Sequence, residues 1–268
     1  MCGKELSARV VVVIDYFHIA LVPHEGGSSE RNMNKNTWLP SVGFYDAPKI
    51  ATVTAHGAGA PADSDYMEQL VIALSDVGIS SVRFEFPYMQ QRRFDGRKRP
   101  PGRQPGLLDS FAQALKRAKD ELPQDCFVMA GGKSMGGRMA SLLAQPANIS
   151  KSSDSSFNSN RLKSSLMDAV VCYGYPFHPP GKLDRWRTEH LAYITCPLLI
   201  VQGTRDPFGK PAELETQSAA LANGELRWLE GGNHDFQPFA RQPETQNDLI
   251  RQAAQLTRQF ADRIIAER

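Results

Sequence analysis

A serine lies between two glycines near the middle of the chain, in the segment Gly-Lys-Ser-Met-Gly at residues 132–136. The apolar run Cys126–Ala130 precedes this G-x-S-x-G segment, and Met135–Leu143 has the composition of a helix. A nucleophilic serine on a sharp strand-to-helix turn needs small residues two positions away on either side. The pattern therefore predicts that Ser134 is a catalytic nucleophile. The alternative is a serine that caps a helix in a glycine-rich turn.

The same segment also resembles the end of a phosphate-binding P-loop, because Gly132, Lys133 and Ser134 have the order G-K-S. A P-loop needs another glycine five residues before the first of these, and that position holds Phe127. The backbone that would surround a phosphate is therefore missing. The sequence excludes a P-loop nucleoside triphosphatase.

A carboxylate and a histidine follow this serine at the ends of later strand-like runs. Asp206 follows Leu198–Gln202, and His234 follows Leu226–Leu229 in a glycine-rich loop. A histidine can accept the serine proton, and a carboxylate can orient that histidine. The chain order Ser, Asp, His is the order found in α/β hydrolases. The alternatives are an ordinary Asp-Pro turn and a solvated loop histidine.

An earlier strand-like run, Ile50–Ala55, leads into the segment His56–Gly59, which resembles an H-G-G-G-type oxyanion loop. The backbone amides of Ala58 and Met135 would then stabilise the developing negative charge. The glycine spacing also nearly matches a dinucleotide fingerprint, but Pro61 lacks an amide hydrogen and the two following aspartates would repel a pyrophosphate. The pattern favours the oxyanion loop. No ligand-spaced cluster predicts a metal, and we expect no cofactor.

Strand-like runs alternate with segments of helical periodicity from residue 49 onward. Strands are predicted at Ile50–Ala55, Ser81–Phe86, Cys126–Ala130, Ala169–Tyr173, Leu198–Gln202 and Leu226–Leu229, and helices at Tyr66–Val77, Leu107–Lys119, Met135–Leu143, Glu213–Ala222 and Glu244–Ala266. Such alternation predicts an α/β fold with a mostly parallel, doubly wound sheet. Ligands bind beyond the carboxyl ends of strands in such sheets, where the candidate residues lie.

Two segments lack this regularity. Residues 1–45 contain the apolar run Val10–Ile14 and a Gly/Ser/Asn-rich stretch, so they form either a peripheral strand with a linker or a disordered extension. Residues 148–165 are rich in Ser and Asn and are predicted to form an exposed loop. We therefore expect one α/β domain over residues 46–268.

Composition limits the partners and the compartment. A formal net charge of +2 over 268 residues is too small to indicate nucleic acid or an acidic membrane surface. The chain has no apolar run of about 20 residues, the length that spans a bilayer. Its four scattered cysteines favour a reducing cytosol, with buried free thiols at Cys126 and Cys172. We expect a cytoplasmic protein that acts on a small molecule.

Six longer segments of the chain resemble the motifs of a known protein family. They are His56–Pro61, Phe84–Met89, Gly131–Arg138, Gly174–Gly181, Arg187–Leu191 and Gln202–Gly209. From about residue 46 to its end, the chain resembles the predicted serine hydrolase family that includes testis-expressed protein 30 and NSL-complex subunit 3. The resemblance implies the α/β-hydrolase fold with Ser134, Asp206 and His234 as its triad. It implies no substrate.

Two further segments bear on the substrate. Residues 174–196 lie where many α/β hydrolases carry a lid, and they are short and proline-rich, so we expect a minimal lid with Tyr175 and Phe177 lining a pocket. An arginine-rich loop follows the second predicted strand. Its Arg99 and Arg103 either are solvated or select substrates that carry a carboxylate or phosphate.

Together these patterns predict a serine hydrolase that cleaves a carboxylic ester through an acyl-enzyme, a carboxylesterase. The same residues acting on a thioester, an amide or a carbon–carbon bond remain an alternative. A non-catalytic interaction domain is a second alternative, but a scaffold does not need all three triad residues.

Overall fold

The computed structural model describes residues 37–145 and 166–268. Within these ranges seven strands form one sheet in the order β1-β3-β2-β4-β5-β6-β7. The strands are β1 Trp38–Pro40, β2 Ile50–Ala55, β3 Ser80–Phe84, β4 Phe127–Lys133, β5 Ala169–Tyr173, β6 Leu198–Gly203 and β7 Gly224–Leu229. Among these seven described strands, β1 alone is antiparallel to its neighbour, and the other pairs are parallel. The mostly parallel sheet confirms the predicted fold class.

Helices cover both faces of this sheet. They are α1 Asp65–Asp76, α2 Pro87–Asp95, α3 Gln104–Glu121, α4 Met135–Leu143, α5 Pro211–Leu214 and α6 Gln246–Ala266, with short 3-10 turns at Leu191–Tyr193 and Glu215–Gln217. Apolar residues of α3 and α4 pack on one face of the sheet, and those of α1 and α6 pack on the other. Val128 and Met129 of β4 point to opposite faces, as the period of a strand requires.

Helix α2 lies where the sequence predicted an irregular arginine-rich loop. Pro87 occupies its first turn, where the missing amide hydrogen costs nothing, and Gly96 ends it with a φ of 70°. The helix has few apolar residues, and only Tyr88 and Met89 of it are buried. This weak apolar pattern explains why periodicity did not reveal it.

The helix predicted at Glu213–Ala222 is mostly absent. One turn of α5 and one turn of 3-10 helix replace it, and irregular turns lead to β7. Leu214 is the buried apolar residue of α5, and Leu221 packs against the same core only in part. A short segment with so little apolar surface gains too little from packing to hold a regular helix.

The described part of the predicted N-terminal extension contains β1. Trp38 pairs with Phe84 of β3, and Pro40 pairs with Val82. The Arg117 guanidinium lies 4.2 Å from the centre of the Trp38 ring, a cation–π contact that attaches this edge strand to α3. The sheet therefore begins before residue 46. The run Val10–Ile14 and the whole of residues 148–165 lie outside the described residues.

Helix α6 is the longest in the described part of the chain. It begins at a capping box in which the Thr245 hydroxyl accepts the Asp248 amide hydrogen and the Asp248 carboxylate accepts the Thr245 amide hydrogen. Its buried face carries Ile250 and Phe260, and charged residues lie on the opposite face. None of the helices in the described ranges is long and apolar enough to cross a membrane.

The predicted free thiols are buried. Cys172 on β5 donates to the Gly137 carbonyl at 3.2 Å, and Cys126 lies just before β4. Burial raises the pKa of Cys126 to about 11, so this thiol stays protonated at neutral pH. The cytosolic location that the cysteines favour stays a prediction.

Two phenylalanines, one buried and one exposed, allow the contribution of the core to the free energy of unfolding to be compared with that of the surface. Phe111 of α3 is fully buried against Phe84, with 4.9 Å between ring centres, whereas Phe94 is 78% exposed. We expect Phe111→Ala to lower the free energy of unfolding by about 3–5 kcal/mol because it leaves a cavity. The matched variant Phe94→Ala should change it by about 0.5 kcal/mol or less. Similar losses in urea unfolding of both variants would contradict this packing.

Candidate active site

Ser134 lies in the turn between β4 and α4. Its φ of 52° and ψ of −115° are rare for a residue with a side chain. Neighbouring hydrogen bonds hold this backbone: the Ser134 amide donates to the Tyr173 carbonyl at 2.9 Å, and the Arg138 amide donates to the Ser134 carbonyl at 3.0 Å. Such strain persists only where the surrounding structure enforces it, and it is common at catalytic sites.

The glycines on either side permit a close approach to the end of β2. A Cβ atom on Gly132 would lie 2.5 Å from the Ala55 carbonyl oxygen, and one on Gly136 would lie 2.3 Å from the same oxygen. Only residues without a side chain fit there. The glycine pattern therefore places the start of the predicted oxyanion loop directly beside the serine.

Ser134, His234 and Asp206 form a continuous chain of hydrogen bonds. The Ser134 Oγ lies 2.9 Å from His234 Nε2, and His234 Nδ1 lies 2.8 Å from Asp206 Oδ2. The three residues come from the ends of β4, β6 and β7, so the topology brings together groups that are up to 100 positions apart. The carboxylate sets the imidazole tautomer, with hydrogen on Nδ1 and a free lone pair on Nε2.

The Asp206 carboxylate is fully buried and accepts further hydrogen bonds. Gln202 Nε2 donates to Oδ2 at 2.8 Å, and the Phe208 amide donates to Oδ1 at 2.9 Å. Gln202 also bonds both backbone polar groups of Tyr175, so it links this carboxylate to the segment after β5. These donors satisfy the buried carboxylate and hold it in one orientation. The sequence did not single out Gln202.

The loop that carries His234 is ordered by its own side chains. The Asn233 carboxamide oxygen accepts the amide hydrogens of Asp235 and Gln237, both at 2.9 Å. The Phe208 ring lies against the imidazole, with 4.4 Å between ring centres. These contacts fix the imidazole between the serine and the carboxylate.

His56 orders the predicted oxyanion loop from inside. Its ring is fully buried, with Nδ1 2.7 Å from the Gly57 carbonyl and Nε2 3.2 Å from the Phe86 amide. Nδ1 therefore donates and Nε2 accepts, which is the neutral ring. Burial lowers the pKa of His56, in agreement with this neutral form.

Helix α2 holds the same loop from outside. The Tyr88 hydroxyl lies 2.9 Å from the Ala58 carbonyl, to which it donates, and Arg92 donates to the Gly59 carbonyl at 2.9 Å. Sequence reasoning missed this support because it predicted a loop here. The proline at the helix start and the glycine after its end were the signals that could have revealed the helix.

The two predicted oxyanion amides lie next to the serine. Ala58 lines the same pocket as Ser134, and Met135 is the first residue of α4. The first amides of a helix have no acceptor within it, and the helix dipole favours negative charge there. In residues 37–145 and 166–268, neither amide donates to a protein acceptor. Both are free to bind a ligand oxygen.

A pocket of about 320 Å³ opens beside the serine. It is lined by Gly57, Ala58, Gly59, Ala60, Ser64, Tyr66, Met67, Lys133, Ser134, Phe208, His234 and Asp235. The sequence did not identify Tyr66, Lys133 or Asp235 as part of a site. Among the residues that the structure describes, no three His, Cys, Asp or Glu side chains are grouped so that they could hold a metal ion.

Tyr175 and Phe177 do not line this pocket, in contrast to the prediction. Both are fully buried in the core, and the Tyr175 hydroxyl donates to the Arg187 carbonyl at 2.9 Å. The Phe177 ring packs so closely on Gly209 that a Cβ there would lie 2.5 Å away. Both aromatic side chains are therefore part of the hydrophobic core.

The two predicted arginines also lie outside the pocket lining. Arg99 forms an ion pair with Asp95, one helical turn earlier in the chain. Arg103 is exposed and directly precedes α3. Their positions favour the alternative of solvated side chains.

The chain belongs to the alpha/beta hydrolase family, because the sequence model of the family described as alpha/beta hydrolase domain matches residues 48–262. Among solved structures, it is similar to Est1E from Butyrivibrio proteoclasticus, with 14% identity and a TM-score of 0.54 over 82% of this chain and 90% of that one. Esterase 2 from Thermogutta terrifontis, phosphorylated by paraoxon, has 16% identity and a TM-score of 0.57 over 84% and 86%. Dienelactone hydrolase from Anabaena variabilis has 19% identity and a TM-score of 0.54 over 80% and 86%. At these identities the structural likeness concerns the fold.

Glu85 offers a test of how the oxyanion loop is held. This buried carboxylate accepts two hydrogen bonds from Arg93 and one from the Ala62 amide just after the loop. We expect Glu85→Ala to lower the free energy of unfolding by about 2–3 kcal/mol, because it leaves these donors without their acceptor. The control Asp120→Ala breaks an exposed ion pair with Lys116 and should cost about 0.5 kcal/mol or less. Equal losses in both variants would contradict a supporting role for Glu85.

Proposed function

We propose that the protein is a serine hydrolase that cleaves a carboxylic ester through an acyl-enzyme intermediate. The observation that carries the proposal is the hydrogen-bond chain from Ser134 through His234 to Asp206, with distances of 2.9 and 2.8 Å. In this arrangement the Ser134 hydroxyl can donate to Nε2 while Nδ1 donates to the carboxylate, as the reaction requires. Hydroxyl, imidazole and carboxylate in this order form a nucleophile, its base and the group that orients the base.

In the first half of the reaction, the Ser134 oxygen attacks the ester carbonyl carbon while His234 Nε2 accepts the hydroxyl proton. The carbonyl oxygen becomes negatively charged, and the amides of Ala58 and Met135 stabilise it. The carbon–oxygen bond to the alcohol then breaks, and the alcohol leaves with the proton from Nε2. The Asp206 side chain, hydrogen-bonded to Nδ1, stabilises the imidazolium between these two proton transfers.

In the second half, a water molecule repeats these steps on the acyl-enzyme. His234 accepts a proton from the water, whose oxygen attacks the acyl carbon. Collapse of the second tetrahedral intermediate releases a carboxylic acid and returns the proton to the Ser134 oxygen. The free enzyme is regenerated without a redox step or a cofactor.

The structural neighbours named above agree with this reaction class. They include esterases and a dienelactone hydrolase, and one esterase is phosphorylated by paraoxon. A pocket of about 320 Å³ is small for a binding site, which supports a small ester as substrate. Within the alpha/beta hydrolase family we place the chain with the group of testis-expressed protein 30 and NSL-complex subunit 3, on the motifs described above. Thioesters and amides would use the same residues.

Fluorophosphonate labelling distinguishes this enzyme from a non-catalytic domain. The chain offers a matched control, since Ser141 Oγ also lies 2.9 Å from a histidine, His190 Nε2, but it is fully buried away from the pocket lining. We expect Ser134→Ala to abolish both labelling and hydrolysis of 4-nitrophenyl acetate, because the reacting oxygen is lost. Ser141→Ala should retain both. Labelling that persists in Ser134→Ala and disappears in Ser141→Ala would contradict the assignment.

Replacing Asp206 tests the orienting carboxylate. In Asp206→Asn the carboxamide can donate to Nδ1, which would place the imidazole hydrogen on Nε2 and prevent it from accepting the serine proton. We expect kcat for 4-nitrophenyl acetate to fall about 10³–10⁴-fold. The exposed Asp184→Asn should retain wild-type kcat. If Asp206→Asn stays folded by circular dichroism and keeps more than a tenth of the activity, another group orients His234.

A further inference from the structure

We propose that the pocket beside Ser134 selects esters that carry a carboxylate, and that the Lys133 ammonium and the Tyr66 hydroxyl bind this carboxylate. The inference deepens the proposed function and rests on it, because Lys133 and Tyr66 are among the residues that line the pocket containing the serine. It names a substrate class for the site and assigns a binding role to two residues.

Lys133 is the last residue of β4 and directly precedes the nucleophile. Its side chain is only 8% exposed, and its Cγ atom lies beside Gly57 of the oxyanion loop. A buried ammonium is costly unless an anion faces it. Burial lowers the pKa of Lys133, and the nearby Asp235 carboxylate opposes this change. The ion pair with Asp235 stabilises the charged form of Lys133 in the lining that also contains the reacting serine.

The partner of this cation is held much more loosely. Lys133 Nζ lies 3.1 Å from Asp235 Oδ1, but the Asp235 side chain is 64% exposed. An exposed carboxylate stays hydrated and can turn into solvent at little cost. Lys133 has three N–H donors, and Asp235 is its only ion-pair partner within the described ranges. A ligand carboxylate can therefore bind the ammonium beside Asp235 or in its place.

Tyr66 supplies the second observation. Its hydroxyl is buried and has no hydrogen-bond partner in the part of the chain that the structure describes. Its ring centre lies 5.3 Å from Lys133 Nζ and 5.7 Å from the ring centre of Phe236. Buried hydroxyls in proteins nearly always have a partner, so this one leaves a donor that a ligand acceptor can use. Burial raises the pKa of Tyr66 well above its usual value, so the hydroxyl donates at neutral pH.

The charge of the pocket favours a carboxylate over a phosphate ester. Lys133 is the only lysine or arginine among the residues that line it, and Asp235 is already present. One ammonium and one hydroxyl match a planar monoanion. A dianionic phosphate would meet a single cation and a nearby carboxylate, which would repel it. The anion selectivity that the sequence suggested for Arg99 and Arg103 is thus assigned to a different residue.

Two pairs of esters test the inference, each with an anionic member and a neutral member of similar shape. The first pair, 3-acetoxybenzoate and 3-acetoxybenzamide, differs in charge on the alcohol side. The second pair, mono(4-nitrophenyl) adipate and 4-nitrophenyl hexanoate, differs on the acyl side. The selectivity is the ratio of kcat/KM for the anionic ester to that for its neutral partner. We expect a ratio above ten in at least one pair, and that pair tells which part of the ester carries the carboxylate.

Variants then attribute the selectivity to its residues. Lys133→Met keeps the length of the side chain and removes the charge, so we expect the ratio to fall at least tenfold, which corresponds to about 1.4 kcal/mol. Tyr66→Phe should lower it about threefold or more without lowering the melting temperature, because the hydroxyl bonds no described protein group. Lys133→Arg should retain part of the selectivity. The exposed Lys182→Met is the matched control and should leave the ratio unchanged.

A binding measurement separates failure of this inference from failure of the proposed function. In Ser134→Ala protein, calorimetry should show that 3-acetoxybenzoate or mono(4-nitrophenyl) adipate binds at least tenfold more tightly than its own neutral partner. Adding Lys133→Met to this protein should remove the difference. Equal binding of anionic and neutral compounds would overturn the inference even if both esters are hydrolysed. Selective binding by a wild-type protein that neither hydrolyses esters nor reacts with fluorophosphonate would overturn the proposed function and leave the carboxylate site standing.

Discussion

The site depends on one close contact, between the Ala55 carbonyl at the end of β2 and the backbone of the turn that holds Ser134. That carbonyl lies where a side chain on Gly132 or Gly136 would have to be. Because the two backbones touch, the loop after β2 reaches the start of α4, and the amides of both can face one substrate oxygen. A methyl group at either glycine would push these segments apart. The strained φ of Ser134 is a consequence of the same turn.

Around this contact, the site is supported mainly by buried polar groups. Glu85 and Tyr88 hold the oxyanion loop from the side of β3 and α2, and Gln202 holds Asp206 from within β6. The reacting groups themselves stay partly accessible, since His234 is about one-fifth exposed and the serine faces the pocket. Rigid support and an accessible reacting edge are what a preorganised catalytic site needs.

Much of this arrangement could be predicted because its signals are local. The parallel sheet followed from alternating strand and helix patterns, and Ser134, Asp206 and His234 followed from their positions after strands. Helix α2 was missed because its polar composition hides its few buried contacts. Tyr175 and Phe177 were wrongly predicted to line the pocket. Their burial depends on the direction in which the chain turns after β5, and residue type alone does not determine that direction. The position of Lys133 in the pocket lining depends on packing of its side chain against Gly57, in the loop that follows β2. No local sequence pattern encodes a contact between two segments so far apart in the chain.

The most direct test of the central claim is to trap the acyl group on the serine. A rapid mix with 4-nitrophenyl trimethylacetate, whose bulky acyl group is slow to leave, is quenched in acid and digested with pepsin before mass spectrometry. The account predicts a burst of about one 4-nitrophenol per protein chain and a trimethylacetyl mass on the peptide that contains Ser134, with no other modified residue. Release of 4-nitrophenol without a burst, or with the acyl group on a different residue, would contradict it.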